Sequence, residues 1–505
     1  MTKRSFFRSV SFNRFVLLLC GLYISMVFVF HNQLYRGTTA NVEERRPTSE
    51  NLVRKDVILN TSVEGLKDWV KHYNNVKDLA RKISKLETEV AHIRGELIIQ
   101  QPIQHAGKKK VDQGKPLPKV VLNSTIGYCF KEPTDVKDNK FQEISPDVFV
   151  YSAYFDNRKS EHFIRLIVLM PKDKIKKISL FCHFRSGTQT YAVEKAIPYE
   201  MCENHNKQYG GHIFSCKTSN VQDLCPFSVS TDSSEPGTRI SIIKGPQSPP
   251  RHQFGICIPP LFGNLKQEIL IEFVELSRIL GAEYFYFYNH NISPDMKMVL
   301  DYYQTKNLTT VIPWMLPDRV ADKLIWYHGQ LLAHNDCLYR SITMLSFLAI
   351  HDVDEFIVPH TSAKTWQEFL PPLLGNHCGF TFKSSFFDPS LSTPYVSPLL
   401  TMAKTVRSPM SNVRKKVMVS PRRVFEVGIH HISKQNEEQW TPLEIKSDLA
   451  FLHHYRKCIG NYGMKCQKTV VDETVPFKYG AVLEKSFNLA IKELKQFEQQ
   501  TRSLS

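Results

Sequence analysis

Two aspartates directly after an apolar segment are the feature of this chain best suited to chemistry. Residues 345–351 predict a buried strand, and Asp352, Asp354 and Glu355 follow it at once. Acids at the end of a buried strand are costly unless a cation meets them, and a hard divalent cation that bridges to phosphate oxygens does so. Because alternate strand residues face the same way, Asp352 and Asp354 suit that task. The alternative is a turn whose acids face solvent.

Histidines and arginines toward the C-terminus could complete such a site. The pair His430-His431 ends a strand-like segment, and the pair His453-His454 follows another at 449–452. Imidazole can serve as a metal ligand, although either pair could equally be structural. Three arginines could bind a diphosphate, or could form surface charges or carboxylate pairs: Arg422, Arg423 and Arg456.

Several other functions are disfavoured. The chain has no Gly-x-Ser-x-Gly, Walker A or His-Glu-x-x-His motif, and no Gly-x-Gly-x-x-Gly after a strand. Its net charge is +16 over 505 residues, but the basic residues are scattered, and a basic patch at 414–423 is interpreted as solvated surface. With no arginine-rich tract or RNA-module signature, we expect no nucleic-acid partner.

The elements that would position these residues alternate between strand and helix. Apolar runs predict strands at 148–154, 165–170, 178–184, 283–288 and 310–314, and helical spacing predicts helices at 267–280 and 295–304. Gly281 would end the first helix, and 289–294 would be a loop. This alternation predicts an α/β fold with a doubly wound sheet, whose ligand site lies at the carboxyl ends of the strands.

The N-terminus predicts a membrane anchor. Residues 15–30 carry no formal charge, and four basic residues precede them without an acid: Lys3, Arg4, Arg8 and Arg14. This favours a cytosolic tail at 1–14 and a signal anchor at 15–31, in a type II orientation. The span is short, which suits a thin, early-pathway membrane, and a cleaved signal peptide is the alternative.

A stem at 32–120 would link the anchor to a catalytic domain at 145–485, with a tail at 486–505. Apolar residues recur at spacings of three and four over 76–97, which predicts a single amphipathic helix or a short coiled coil that pairs two copies. Prolines, Gly107 and a lysine run make 101–120 a flexible linker.

Cysteines and sequons agree with a luminal domain. Of eleven cysteines, ten would lie beyond the anchor, and an even number in an oxidising lumen suggests disulfides. Their connectivity cannot be read from the sequence. Sequons begin at four asparagines: Asn60, Asn123, Asn291 and Asn307.

Several segments together resemble glycosyltransferase family 92, in the family's order and over roughly 148–480. They are Tyr151-Ser-Ala-Tyr-Phe-Asp-Asn-Arg158, Cys257-Ile-Pro-Pro-Leu-Phe-Gly263, 271–289, Pro313-Trp314, Gly329-Gln330, Asp336-Cys-Leu-Tyr-Arg340, Asp352-Val-Asp-Glu-Phe356 and His453-His-Tyr-Arg456. The resemblance implies a GT-A-like fold, a luminal Golgi location, and transfer from a UDP-sugar with Mn²⁺ as the usual metal. Characterised members are β-galactosyltransferases that act on glycans.

The resemblance also places candidate site residues. Asp352 and Asp354 become the Asp-x-Asp pair, with Asp354 the preferred direct ligand. His454 is the first choice for a third metal ligand and His430 the second. Three strand-end residues are candidates for nucleotide contact, together with Asp352: Tyr151, Asp156 and Asn289.

An inverting transferase also needs a base near the acceptor hydroxyl. Glu426 is the preferred candidate, with Asp388 and Glu444 as alternatives, while Glu355 is expected to support the metal site. Asp336 and Arg340, four residues apart, are expected to form a structural pair on a helix.

Three competing functions remain open. They are a catalytically silent, membrane-tethered carbohydrate-binding member of the family, a glycoside hydrolase with paired carboxylates, and a membrane adaptor that acts through its stem.

Overall fold

The computed structural model describes residues 130–186, 189–218, 227–245, 249–391, 396–460 and 466–504. All lie within the unit Lys119–Ser505. The predicted anchor at 15–31, the helix at 76–97 and the rest of the stem before 130 lie outside these residues. None of the helices in the described part is both long and apolar enough to cross a bilayer.

The described residues before 250 form strands, apart from a 3-10 turn at Lys172–Lys174. The strands are β1 (Phe130–Lys131), β2 (Gln142–Ser145), β3 (Val148–Asp156), β4 (His162–Pro171), β5 (Phe181–Ser186), β6 (Gln189–Lys195), β7 (Ile197–Glu200), β8 (Tyr209–Thr218), β9 (Phe227–Ser230), β10 (Thr238–Arg239) and β11 (Ile242–Ile243).

These strands form two sheets, one in the order β1-β11-β3-β4-β8-β7 with β2 beside β3, the other in the order β10-β9-β5-β6. Neighbouring strands are antiparallel along β3-β4-β8-β7 and along β10-β9-β5-β6. The predicted strands at 148–154, 165–170 and 178–184 therefore exist but do not join a doubly wound sheet. The connections between β3, β4 and β5 carry no crossover α-helix, which a parallel neighbour would need.

Helices and strands both occur from residue 252 onward. The strands are β12 (His252–Gly263), β13 (Tyr284–Ile292), β14 (Thr309–Pro313), β15 (Leu345–Ile350), β16 (Glu355–Pro359), β17 (His377–Phe386), β18 (Val406–Arg407), β19 (Ser411–Val419), β20 (Val424–Val427), β21 (Ile432–Gln435), β22 (Thr441–Glu444), β23 (Ala450–His454) and β24 (Val470–Val471). The helices are α1 (Gln267–Leu280), α2 (Pro294–Thr305), α3 (Gln330–Ser341), α4 (Trp366–Leu373), α5 (Leu400–Ala403) and α6 (Thr474–Leu504).

The main sheet of the described residues has nine strands, in the order β14-β13-β12-β15-β19-β17-β23-β16, with β22 beside β17. Strands β14, β13, β12 and β15 are parallel, and β19 then runs antiparallel to β15. Small two-stranded sheets pair β18 with β24 and β20 with β21. The chain is thus a mixed α/β protein, as predicted, and this architecture fits a glycosyltransferase fold.

Strand alternation divides the core between the two faces of the main sheet. Phe285 and Phe287 of β13 pack in one hydrophobic cluster with residues of α1, α2 and α6. Tyr284, Tyr286 and Tyr288 pack in another, with residues of α3, β3 and β8. All twelve residues of helix α3 are buried, because the helix packs between the main sheet and the sheet that contains β3 and β8.

One element end differs from the prediction, and the tail after residue 485 is helical, one of the two forms expected for it. Strand β13 continues to Ile292, so the predicted loop at 289–294 is partly strand. Helix α6 runs through residue 485 without a break, and Phe487, Ala490 and Leu494 are buried in the core. By contrast, Gly281 ends α1 as predicted: its φ is 121°, and its backbone N–H donates to the carbonyl of Ser277.

Candidate active site

The predicted Asp-x-Asp pair lies where a central strand ends. Ile350, the last residue of β15, pairs with Cys257 of β12 and Val417 of β19. The chain then turns through 351–354 and enters β16 at Glu355. The side chains of Asp352 and Asp354 are 35% and 34% exposed, so a ligand can reach them.

His454 reaches this turn through strand pairing. Strand β23 runs antiparallel to β16, and His454 lies opposite Glu355. Its Nε2 lies 3.5 Å from Asp354 Oδ2 and its Nδ1 lies 3.2 Å from Glu355 Oε1. Stacking on Phe386, with ring centroids 4.8 Å apart, fixes the plane of the imidazole. The structure therefore brings together Asp354, His454 and Glu355, residues that are up to 100 positions apart in the sequence.

Lys416, which the sequence analysis left in a solvated basic patch, is buried in this site. Its Nζ lies 3.0 Å from Asp352 Oδ2 and 3.1 Å from Glu355 Oε2. Burial would raise the pKa of Asp352, but Lys416 outweighs it and lowers that pKa to about 2. Burial raises the pKa of Glu355 in spite of Lys416. The sequence carried one sign that Lys416 could be buried: it stands directly before the apolar run Val417-Met-Val419.

We refer to Asp352, Asp354, Glu355, Lys416 and His454 as the open cluster. Within it, His454 Nδ1 and Glu355 Oε1 are buried without a hydrogen-bond partner among the described residues. A carboxylate behind a histidine orients the other ring nitrogen toward a metal. Asp354 Oδ2 and His454 Nε2 are oxygen and nitrogen donors of the kind a divalent cation takes, so these residues fit a metal site.

An aromatic segment with Tyr327 and His328 lies near the open cluster. Tyr327 is half exposed, and burial together with the carboxylates of Asp352 and Asp354 raises its pKa. Tyr327 and His328 have φ values of 42° and 55°, a left-handed backbone that is costly for such residues and is often found at functional sites. The His328 ring packs against Phe262 of β12, with centroids 4.2 Å apart. Backbone strain leaves no sequence signal, so this segment was missed.

His430, the second choice for a ligand, lies behind Lys416. Its Nδ1 is 3.0 Å from the carbonyl oxygen of Lys415, and burial, with Lys416, lowers its pKa to about 4. Two further buried histidines border the open cluster: burial lowers the pKa of His334 to about 3 and that of His351 to about 4.

The three predicted nucleotide contacts differ in position. Asn289 lies near the carboxyl end of β13, and its Oδ1 accepts a hydrogen bond from Ile292 N at 3.2 Å. Tyr151 is buried in β3, and its hydroxyl donates to the Pro313 carbonyl at 2.6 Å. Asp156 is buried at the end of β3 and forms ion pairs with two arginines: Arg158 and Arg165. Tyr151 and Asp156 thus have internal partners, and their nucleotide role remains a prediction.

Glu426, the predicted base, is buried in β20. Its two oxygens accept hydrogen bonds from the Tyr199 hydroxyl at 2.6 Å and from Cys202 N at 2.8 Å. This is the geometry of a structural carboxylate, since both oxygens already have donors. The alternative candidates also have partners: Asp388 accepts from Ser390 and Cys458, and Glu444 pairs with two lysines. The base assignment remains a prediction.

Asp336 and Arg340 form the predicted structural pair. Their side chains are fully buried on α3, with Arg340 Nη2 3.1 Å from Asp336 Oδ2. Tyr154 and Tyr288 each donate to Asp336 at 2.6 Å, and Ser152 also donates to it. We refer to these five residues as the enclosed cluster.

The predicted disulfides are present. Three cysteine pairs are bonded: Cys182–Cys216, Cys257–Cys337 and Cys458–Cys466. The second joins β12 to α3 and so ties the main sheet to the helix beneath it. Cys202 and Cys378 are free thiols, and Cys129 and Cys225 lie outside the described residues.

Comparison with known proteins assigns the main sheet to a family. The model of glycosyltransferase family 92 matches residues 252–502, which run from β12 into α6 and contain the open cluster.

Curated relatives agree. The chain is similar to beta-1,4-galactosyltransferase galt-1 of Caenorhabditis elegans, with 28% identity over 352 residues, 64% of this chain and 78% of that protein. It is 24% identical over 249 residues to glycosyltransferase family 92 protein F13G3.3 of the same organism, covering 45% of this chain and 46% of that protein. It is 23% identical over 244 residues to galactan beta-1,4-galactosyltransferase GALS3 of Arabidopsis thaliana, again covering 45% of this chain and 46% of that protein. The chain therefore spans most of the first relative but less than half of the other two. With the family model, these matches identify the chain as a glycosyltransferase of family 92.

Proposed function

We propose that this chain transfers galactose from UDP-galactose to a glycan, with inversion at the sugar carbon, in a GT-A-type site that requires a divalent cation. The observation that carries the proposal is the convergence of Asp354 and His454 beside Asp352, at the end of a parallel strand. Ligands of open α/β sheets bind at that edge. The names of two relatives, galt-1 and GALS3, support galactose as the sugar and a glycan as the acceptor.

Asp354 and His454 would hold the cation, for which Mn²⁺ is the first candidate. Asp352 would add a second negative charge beside it. When bound, such a cation stabilises the negative charge that develops on departing UDP. Glu355 would orient His454 from behind through the 3.2 Å contact with Nδ1. Lys416 holds Asp352 ionised and neutralises Glu355, so that the acids can stay close together in a half-buried site.

The remaining parts of the proposal concern location. We place the enzyme in the Golgi membrane as a single-pass type II protein, with the stem able to pair two copies. The apolar segment at 15–30 and its basic flank support an anchor, and the three disulfides support an oxidising compartment.

The test is UDP release by the full chain, with a panel of UDP-sugars and β-galactosyl acceptors, in Mn²⁺ or in EDTA. We expect release from UDP-galactose that requires acceptor and Mn²⁺ and is lost in Asp354→Asn. Asp301→Asn is the matched control, because Asp301 forms only a surface pair with Lys297. Folded protein that binds glycan but releases no UDP from any donor would contradict the transferase and favour the silent carbohydrate-binding member. Glycan hydrolysis without nucleotide would favour a hydrolase.

A further inference from the structure

A second group of metal-ligand side chains lies apart from the open cluster. Cys202 and Glu203 follow β7, and His431 lies in the turn between β20 and β21. One ligand atom from each of the three residues lies within 4.8 Å of the others. Cys202 and His431 are exposed and Glu203 is half-buried, so an ion could enter from solvent.

The spacing suits a tetrahedral ion. Cys202 Sγ lies 3.6 Å from His431 Nε2. Zinc bonds of about 2.3 Å to sulfur and about 2.05 Å to nitrogen, at a tetrahedral angle, place the two ligand atoms about 3.6 Å apart. Glu203 Oε1 lies 3.8 Å from His431 Nδ1, and a carboxylate oxygen of Glu203 lies within 4.8 Å of the ligand atoms of Cys202 and His431.

The backbone at Gly428 lets the side chains of this group lie close together. Glu203 Oε2 accepts a hydrogen bond from Ile429 N, which fixes that carboxylate and leaves Oε1 free. A Cβ at Gly428 would lie 2.8 Å from His431 Cε1 and 2.9 Å from Ser433 Oγ, and closer still to Glu203 Oε2. Three side chains therefore converge where only glycine leaves room for them.

We propose that Cys202, Glu203 and His431 bind a zinc ion that clips the segment after β7 to the β20–β21 hairpin. One thiolate, one carboxylate and one neutral imidazole would balance the charge of Zn²⁺, and each of these three ligand types binds zinc in proteins. Ser433 Oγ, 3.1 Å from Cys202 Sγ and 3.2 Å from His431 Nε2, or a water would take the fourth position. The sulfur ligand distinguishes this site from the open cluster, which contains no cysteine.

The location gives the ion a structural role. The side-chain carboxylate of Glu426 in β20 accepts a hydrogen bond from Cys202 N, so this bond already connects the two segments that zinc would join. Three disulfides hold other cysteines of the described residues in place, whereas Cys202 is an exposed free thiol. The zinc ion would hold Cys202 in place without a second thiol.

The experiment uses the full chain, stripped with EDTA and titrated with Co²⁺ as a spectroscopic substitute for Zn²⁺. We expect one equivalent to give the near-ultraviolet absorption of a Co²⁺–thiolate bond, reversed by Zn²⁺. The absorption should be lost in Cys202→Ser and weakened in His431→Ala. Cys378→Ser and His377→Ala are matched controls and should keep it. Since thiolate absorption does not depend on transfer activity, this test stands apart from that of the proposed function.

Two further readouts keep the test decisive. Zn²⁺ should raise the melting temperature of the wild-type chain but not that of Glu203→Gln or Gly428→Val, and these variants serve if Cys202→Ser fails to fold. Absence of thiolate absorption in folded wild-type protein would overturn the proposal. So would absorption that persists in Cys202→Ser, or peptide mapping that finds Cys202 in a disulfide.

Discussion

The enclosed cluster around Asp336 and the open cluster around Asp354 both place carboxylates beside buried cations, yet their acids are paired differently. Both Asp336 oxygens are saturated by three hydroxyl donors and the Arg340 guanidinium, and the side chains of Asp336 and Arg340 are fully buried. Asp354 has only the 3.5 Å contact with His454 and is one third exposed. A saturated buried carboxylate stabilises a fold, whereas a reachable and incompletely paired one can take a ligand.

The largest expected effect is on the stability of the enclosed cluster. Asp336→Ala leaves Arg340 buried without its counter-charge, so the free energy of unfolding should fall by about 3–5 kcal/mol. Urea unfolding followed by fluorescence measures this change. The control is Asp301→Ala, which breaks a surface pair worth at most about 1 kcal/mol. Similar losses in the two variants would mean that saturation of Asp336 contributes little.

A substitution in the open cluster should instead lower the activity and leave the stability almost unchanged. Asp354→Asn should lower kcat/KM by about 10²–10³-fold, or about 3–4 kcal/mol, because it removes charge that stabilises the transition state. Its urea midpoint should stay near that of the wild type, since Asp354 is partly exposed. A variant that is fully active, or one that is inactive only because it is unfolded, would contradict the distinction between the clusters.

Lys416 combines features of the two clusters. It is buried like the enclosed cluster, but it forms ion pairs with Asp352 and Glu355 of the open cluster. Lys416→Met leaves Asp352 and Glu355 without their cation, so we expect a stability loss of about 2–3 kcal/mol together with loss of activity. Lys415→Met is the matched control, because Lys415 pairs with Glu444 at the surface. Lys416→Arg should restore part of the stability. Equal effects of the two methionine variants would remove Lys416 from the site.

The last expected effect concerns acid and is spread over several pH units. The pKa of His334 is lowered from 6.5 to about 3 by burial, so the unfolded chain takes up this proton first as the pH falls. Stability is therefore fully present above pH 6.5 and is lost toward pH 3, by about 1.4 kcal/mol per pH unit. His334→Gln should reduce the slope of unfolding free energy against pH between 6 and 4. An unchanged slope in His334→Gln would show that His334 is not held neutral.

The sequence predicted the parts of this molecule that depend on local pattern. Apolar patterns located α1, α2, β13, β14 and β15, and the acids at the end of β15 marked the candidate site. The pairing of Asp336 with Arg340 followed from a spacing of four on a helix.

The parts that depend on distant contacts could not be predicted in this way. Lys416 reaches Asp352 only because β19 pairs with β15, and its position before the apolar run at 417–419 does not name that partner. The assignment of β3 to a separate sheet likewise depends on partners that periodicity does not name. Glu426 seemed suited to catalysis because its donors, Tyr199 and Cys202, lie more than 220 residues earlier in the chain.

The most direct test of the account is UDP binding to the full chain by titration calorimetry, with Mn²⁺ or with EDTA, in wild type, Asp354→Asn and Asp336→Asn. The account predicts binding that requires Mn²⁺, is lost in Asp354→Asn, and persists in whatever fraction of Asp336→Asn remains folded. UDP binding that is equally strong in EDTA, or unchanged in Asp354→Asn, would contradict the assignment of the open cluster as the metal and nucleotide site.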